Sequence, residues 1–267
     1  GSYTKFLPSL NVGYWLQEDL IVRFAAAKTM ARPSLNQLAP TREDYAYDGD
    51  FSIYVDGNVD LKPITANQMD VALEWYFKEG SALTAAVFWK DIDGFVTSQA
   101  SYDVPIAGQD FYVEQPVNGQ SAKVKGFEVG MQYFFDNGFG IIANYTYTDT
   151  KAKIDGVEEG LEGVSKHAYS LAGLYANDKF EAMVSADYSG KTIVSLFSPI
   201  EGVPSTGEAV TWVSASVSYH LTDQIDLYVK GNNLTNAQER SYLGDTRLVS
   251  GFESWGRSFF MGASYNF

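Results

Sequence analysis

The sequence predicts an all-β chain of antiparallel strands that cross a membrane as part of a β-barrel. Three observations predict it. Apolar and polar residues alternate with a period of two along most of the 267 residues, the spacing at which successive side chains of a strand point to opposite faces. Short turns and long links alternate between these segments. Aromatic residues make up 15% of the chain, and no run of eighteen apolar residues exists that could cross as a helix.

The elements follow in order. Leu10, Val12, Tyr14 and Leu16 share one face, opposite Asn11 and Gly13. After a turn at Gln17 to Asp19, Leu20, Val22, Phe24 and Ala26 share a face opposite Arg23. Met69, Val71, Leu73, Trp75 and Phe77 oppose Asp70, Glu74 and Tyr76. Leu83, Ala85, Val87 and Trp89 oppose Thr84 and Lys90. Phe127, Val129, Met131, Tyr133 and Phe135 oppose Glu128, Gly130 and Gln132, and Asp136-Asn137-Gly138 is a strong hairpin signal because Asn and Gly accept positive φ. Phe139, Ile141, Ala143, Tyr145 and Tyr147 come next. Tyr169, Leu171, Gly173 and Tyr175 lead into Asn177-Asp178. Phe180, Ala182, Val184, Ala186 and Tyr188 oppose Glu181, Ser185 and Asp187. Val213, Ala215, Val217, Tyr219 and Leu221 oppose a row of serines and His220. Ile225, Leu227 and Val229 oppose Asp226 and Lys230. The last strand carries Phe259, Met261, Ala263, Tyr265 and Phe267 on its apolar side.

That makes about eleven strands of roughly ten residues, the length a tilted strand needs to span a bilayer. Short turns follow the first, third, fifth, seventh and ninth strands. Long links cover roughly 29–66, 97–121, 150–165, 191–208 and 235–254. Outer-membrane barrels have this asymmetry, with short periplasmic turns and long extracellular loops. Because bacterial single-chain barrels have even strand numbers, an odd count implies a miscounted strand or a partial barrel.

Composition excludes several classes. With 33 acidic and 19 basic residues the net charge is −14, and no basic stripe exists to neutralise nucleic-acid phosphates. Without cysteine there is neither a disulfide framework nor a thiolate metal site, and two histidines are too few for an imidazole metal centre. No cofactor is expected. His167 falls on the apolar face, but Ala168 and Tyr169 follow it, so the His-x-Ser nucleophile of an outer-membrane phospholipase is absent. No nucleophile elbow or phosphate-cradling loop stands out, so an enzyme is not expected.

Polar-face charges are expected to line a wet lumen: Arg23, Asp70, Glu74, Lys90, Glu128 and Asp187, with Glu181, Asp226 and Lys230. They are either plug-docking or solute-path residues, or ordinary wall residues. The long links hold Tyr45, Tyr47, Tyr54, Tyr102, Phe111, Tyr112, Tyr242 and Trp255, together with Phe51, Phe197 and Phe252. Aromatic faces stack on sugar rings and carboxylates accept sugar hydroxyls, so these loops are candidates to grip an oligosaccharide; the alternative is packing between loops or an interfacial girdle. Acidic residues from Glu43 to Asp60 cluster in the first link without the ligand spacing of a calcium loop.

Several segments resemble a known family. The terminal strand, closing on an aromatic residue, resembles the last strand of bacterial outer-membrane barrels. Phe24-Ala-Ala-Ala-Lys-Thr-Met-Ala-Arg-Pro33 with Ser34-Leu-Asn-Gln-Leu-Ala-Pro40, then Gly57-Asn-Val-Asp-Leu-Lys-Pro63 running into Gln68, and Lys230-Gly-Asn-Asn-Leu-Thr-Asn236 together resemble the barrel of TonB-dependent outer-membrane receptors. Val59 stands where that family usually has proline. The resemblance implies a Gram-negative outer-membrane protein, with about eleven of 22 barrel strands present. The plug, the segment that contacts TonB and the first half of the barrel are expected to lie outside this chain. Implied partners are outer-membrane lipid, a solute ligand, and TonB with the inner-membrane energising complex through the plug. The wording is most similar to the branch associated with carbohydrate uptake. An iron-siderophore receptor is the alternative, and a small complete barrel serving as an anchor or autotransporter translocator is a further one.

Overall fold

A computed structural model describes residues 3–40, 42–48, 51–106, 109–154, 157–196 and 203–265; side chains at 42–48, 51–55, 100, 102, 103, 106, 109, 154 and 157 are outside the described set. The first part of the chain forms β1 (Ser9–Gln17), β2 (Leu20–Ala31), a short helix α1 (Leu35–Leu38), β3 (Arg42–Asp48), β4 (Phe51–Asp56), β5 (Ile64–Lys78) and β6 (Ser81–Asp93). Then come β7 (Val96–Ile106), β8 (Gln109–Asn118), β9 (Ser121–Phe134), β10 (Phe139–Ile154), β11 (Val157–Glu159), β12 (His167–Ala176) and β13 (Phe180–Ser189). The remainder is β14 (Thr192–Ser195), β15 (Ser205–Gly207), β16 (Val210–Thr222), β17 (Ile225–Asn232), β18 (Glu239–Leu243), β19 (Val249–Glu253) and β20 (Ser258–Tyr265).

One sheet dominates, in the order β1-β2-β5-β6-β9-β10-β12-β13-β16-β17-β20, with β11 paired onto β10. All eleven strands expected from the alternation lie on that path, each antiparallel to its neighbour. Among the described residues the sheet is open, with β1 and β20 at its edges. Phe267 lies outside the described residues.

Register preserves the two faces across the whole sheet. Directly opposed residues run Val12, Phe24, Val71, Val87, Phe127, Tyr147, His167 across seven strands. Further on they run Ala182, Val217, Val229, Met261. A slip of one residue at any pair would flip every later side chain to the wrong face. The apolar face is the more exposed one: Met69, Val71, Leu73 and Trp75 are 42–46% exposed, while Asp70, Ala72 and Glu74 between them are half-buried. A water-soluble sheet would bury the first set; hydrocarbon reverses the preference.

Rings gather in two belts on the apolar face. Near the short turns Phe77 stacks on Tyr133 at 6.0 Å, Phe139 meets Tyr175 at 4.7 Å and Phe180 meets Tyr219 at 4.8 Å. Near the long links Phe127 meets Tyr147 at 5.6 Å, Tyr147 meets His167 at 5.4 Å and Tyr169 stacks on Tyr188 at 4.5 Å. Leu73, Ala85, Val129, Met131, Ala143, Leu171 and Val184 fill the band between. Two aromatic girdles around an apolar band is the cross-section a bilayer demands.

The turns are chemically set. Gly80 and Gly138 adopt φ of 68° and 85° at the tips of two hairpins. The Asn177 carboxamide oxygen accepts from the amides of Lys179 and Phe180 at 2.9 and 2.8 Å. Lys78 donates to Asp136 at 2.6 Å, joining two neighbouring turns.

The long links hold structure that the alternation did not predict. β3, β4, β8 and β7 form one accessory sheet, and β14, β15, β18 and β19 form another. Within the first, β4 and β8 pair in parallel. A small core of Phe95, Ala122 and Ala152, with Ile92 and Leu161 packed on it, sits where the spanning strands rise into these links.

Candidate functional site

Alternation puts Arg23, Glu74 and Tyr76 on the face away from the aromatic belts. There Arg23 Nε donates to Glu74 Oε1 at 2.9 Å and the Tyr76 hydroxyl donates to Glu74 Oε2 at 2.6 Å. Trp15 lies 6.5 Å from the Tyr76 ring. Asp70 stands opposite Ala25 and Phe88, and Lys90 opposite Gln68 and Val124. Glu128 stands opposite Ala86 and Thr146, and Asp187 opposite Ser170 and Trp212. These six of the nine expected wall charges therefore share the polar face, and among the six only Arg23 and Glu74 form an ion pair with each other.

A second polar cluster was not expected as a unit. His220 Nδ1 lies 2.7 Å from Asp226 Oδ1, His220 Nε2 lies 3.7 Å from Glu181 Oε1, and the Ser264 hydroxyl donates to Asp226 Oδ2 at 3.2 Å. Sequence parity placed these residues on one face, but their meeting requires the neighbour order β13-β16-β17-β20, which parity does not give.

Small residues tune the same wall. A Cβ at Gly126 would overlap the Tyr147 carbonyl oxygen and the Phe88 ring. One at Gly262 would overlap the Tyr228 ring. At both places an aromatic ring lies across a strand glycine and covers backbone that would otherwise be bare.

At the long-link end a cleft of about 340 Å³ opens between the ends of β13 and β16 and the second accessory sheet. Trp212, Glu208, Glu239, Arg240, Phe252 and Glu253 line it. The Arg240 guanidinium sits 5.6 Å from the Phe252 ring centroid, and the Trp212 and Trp255 rings are 5.7 Å apart. A flat ring or a ligand with hydroxyl donors could enter, because the cleft offers stacking faces, carboxylate acceptors and one guanidinium.

The loop aromatics separate by burial. Trp255 is 61% exposed, whereas Phe111, Tyr112 and Tyr242 are 8%, 4% and 8% exposed. Phe111 and Tyr112 sit on β8 and Tyr242 on β18, inside the accessory sheets. Tyr45 and Tyr47 belong to β3, Tyr54 to β4 and Tyr102 to β7, with side chains outside the described residues. Phe197 lies outside them altogether. Among the described residues no group of three or more His, Asp or Glu side chains is placed to hold a metal ion.

The family profile for the β-barrel of TonB-dependent receptor-like proteins matches residues 1–234. The iron-regulated outer membrane virulence protein of Vibrio cholerae is 24% identical over 250 residues, a match covering 88% of this chain and 37% of that protein. The vitamin B12 transporter BtuB of Vibrio cholerae is 20% identical over 259 residues, covering 97% and 37%. Among solved structures, the siderophore receptor PirA from Acinetobacter baumannii superposes with a TM-score of 0.70 at 20% identity, covering 98% of this chain and 41% of PirA. The ferric enterobactin receptor PfeA from Pseudomonas aeruginosa gives 0.68 at 17% identity, covering 97% and 40%. The chain thus spans 37% of the length of the curated relatives it matches. These relatives are named for iron, vitamin B12 and siderophores, and the expectation of a carbohydrate ligand gains no support from them.

Proposed function

The chain belongs to the TonB-dependent receptor β-barrel family, whose members are integral outer-membrane proteins, and from that premise we propose that it is the carboxy-terminal part of the barrel of a longer solute receptor. The receptor would capture a scarce solute at its outer mouth and pass it through the lumen, drawing energy from TonB. The observation that carries this reading is the register of the eleven strands, which keeps an aromatic-girdled apolar face and a charged polar face apart throughout. An edge strand in lipid leaves backbone donors and acceptors unpaired at several kcal/mol each, so β1 and β20 need partner strands. In this reading the chain supplies wall, mouth and anchor.

For the solute, we favour a ferric chelate, as the relatives' names suggest. Arg240 beside Phe252 and the Trp212–Trp255 pair offer a cation and stacking faces at the mouth. Glu208, Glu239 and Glu253 in the same cleft favour a second reading, a hydroxyl-rich carbohydrate. Quenching of tryptophan fluorescence in the intact receptor separates them. The test set is a ferric catecholate, a ferric hydroxamate, cyanocobalamin and a linear oligosaccharide. Saturable quenching by a chelate alone supports the first reading, and quenching by the oligosaccharide alone replaces it with the second. In cells, uptake of the active compound should vanish on deleting either the receptor or TonB.

A further inference from the structure

The outward face does not end at the upper aromatic belt. One step beyond Phe127 and Tyr147, the opposed residues run Met69, Trp89, Lys125, Asp149. One further step gives Lys28, Asn67, Asp91, Lys123, Lys151, and the next places Lys153 opposite Ser121. Parity puts all of them on the lipid-facing side. The opposite side of the same strands is occupied, because Ala122 and Ala152 are buried against Phe95.

Lys123, Lys125, Lys151 and Lys153 line an outward cleft of about 420 Å³ floored by Trp89. Two carboxylates accompany them: Lys125 Nζ lies 3.6 Å from Asp149 Oδ2 and Lys151 Nζ 3.6 Å from Glu158 Oε2. The Lys125 and Lys151 side chains remain 65% and 62% exposed, so these are loose pairs rather than closed ones. Asp91 and Asp93 on β6 are the other acids on this stretch. Lys166 adds a cation 5.6 Å from the Tyr147 ring. In a chain with net charge −14, lysines gather at this height on this face.

Position and charge together name an occupant. Just beyond an aromatic girdle lies the headgroup layer, and lysine stems of this length lie along apolar surface while their ammonium groups reach into it. We propose that this face binds the phosphate groups of the phosphorylated glycolipid of the outer leaflet, lipopolysaccharide, with Lys123, Lys125, Lys151 and Lys153 as ligands. Trp89 and Phe127 would lie against its acyl chains. Ammonium groups can each donate several charge-assisted bonds to phosphate oxygens, and Asp149 and Glu158 balance two of the four lysine charges and leave the cleft net positive. The proposal rests on the reading that places the long links outside the cell.

Native mass spectrometry of the intact detergent-solubilised receptor, titrated with bis-phosphorylated lipid A and with its dephosphorylated form, tests it. One bis-phosphorylated lipid A should be retained per barrel, with the dephosphorylated form bound at least tenfold more weakly. The double variant Lys123→Gln/Lys151→Gln should weaken retention roughly thirtyfold, on the scale of anionic-surface attraction for two lysines. Equal retention of the two lipids by the unaltered receptor overturns the proposal even if the variant does not assemble. Undiminished binding by the folded variant overturns it too, as does complete displacement by millimolar inorganic phosphate. Labelling of Glu208→Cys by an impermeant maleimide on intact cells reports the orientation separately. Protection there would fail the underlying reading instead.

Discussion

The Asn58 side-chain amide donates to the Pro116 carbonyl oxygen at 2.9 Å and ties the first long link to the second. The same residue accepts from the Asp60 amide at 2.9 Å, and its own backbone N–H donates to the Gln37 carbonyl oxygen at 2.7 Å. Asn118 answers from the other side, accepting from the Lys62 amide at 2.7 Å and donating to the Lys62 and Gly94 carbonyl oxygens at 3.0 and 2.7 Å. Gly57 must be glycine here, because a Cβ would overlap the Ala39 carbonyl oxygen. The family-like stretch from Gly57 to Pro63 is therefore a staple that fixes how the chain enters β5.

Replacing Asn58 by Ala leaves the part-buried Pro116 carbonyl oxygen without this donor, a loss of about 1–3 kcal/mol. It is expected to loosen the links while sparing the spanning sheet. Limited proteolysis of the receptor should cut within 31–63 and 94–120 faster in the variant, with the heat-sensitive gel mobility of the barrel unchanged. Equal cleavage rates would show that the staple is dispensable.

Arg23 and Glu74 share the polar face, with side-chain exposures of 51% and 19%. Solvent screening makes such a pair weak. A double-mutant cycle with Arg23→Gln and Glu74→Gln on receptor unfolding should return no resolvable coupling. A large coupling would mean that the polar face is dry.

Trp212 and Trp255 should matter to solute rather than to assembly. Trp255→Ala removes an exposed ring, and a lost stacking contact is worth about 1 kcal/mol, so solute affinity should fall roughly fivefold with barrel yield unchanged. Phe111→Ala and Tyr112→Ala act on buried rings and should lower yield instead. Affinity loss confined to the buried pair would reverse this assignment.

Leu73 and Glu74 are neighbours on opposite faces. Leu73→Arg puts a charge into hydrocarbon at about 2–4 kcal/mol, whereas Glu74→Gln on the polar face should cost much less. Urea unfolding of the receptor in phosphatidylcholine vesicles should separate them by that margin.

The spanning strands were legible because a half-lipid, half-water wall forces a period of two, and hairpin tips such as Asn137-Gly138 mark where it breaks. All eleven followed from that one constraint. The strands of the long links were not legible. Their pairings join distant stretches, as in Ile53 with Tyr112, and their sequences obey no two-solvent rule. The outward lysines could have been found: Lys123 and Lys125 continue the parity of Phe127, but a count that stops at the last apolar residue assigns every charge to the lumen. The staple could be located by resemblance, whereas its reason, the crowding of Gly57 against Ala39, needed coordinates.

One face of this sheet is expected to meet lipid and the other to meet water. Single cysteines placed in turn from Met69 to Phe77 of the receptor, labelled with an environment-sensitive fluorophore in vesicles containing brominated lipid, measure it directly. Quenching should alternate, strong at 69, 71, 73, 75 and 77 and weak at 70, 72, 74 and 76. Uniform quenching, or alternation of the opposite phase, would contradict the account.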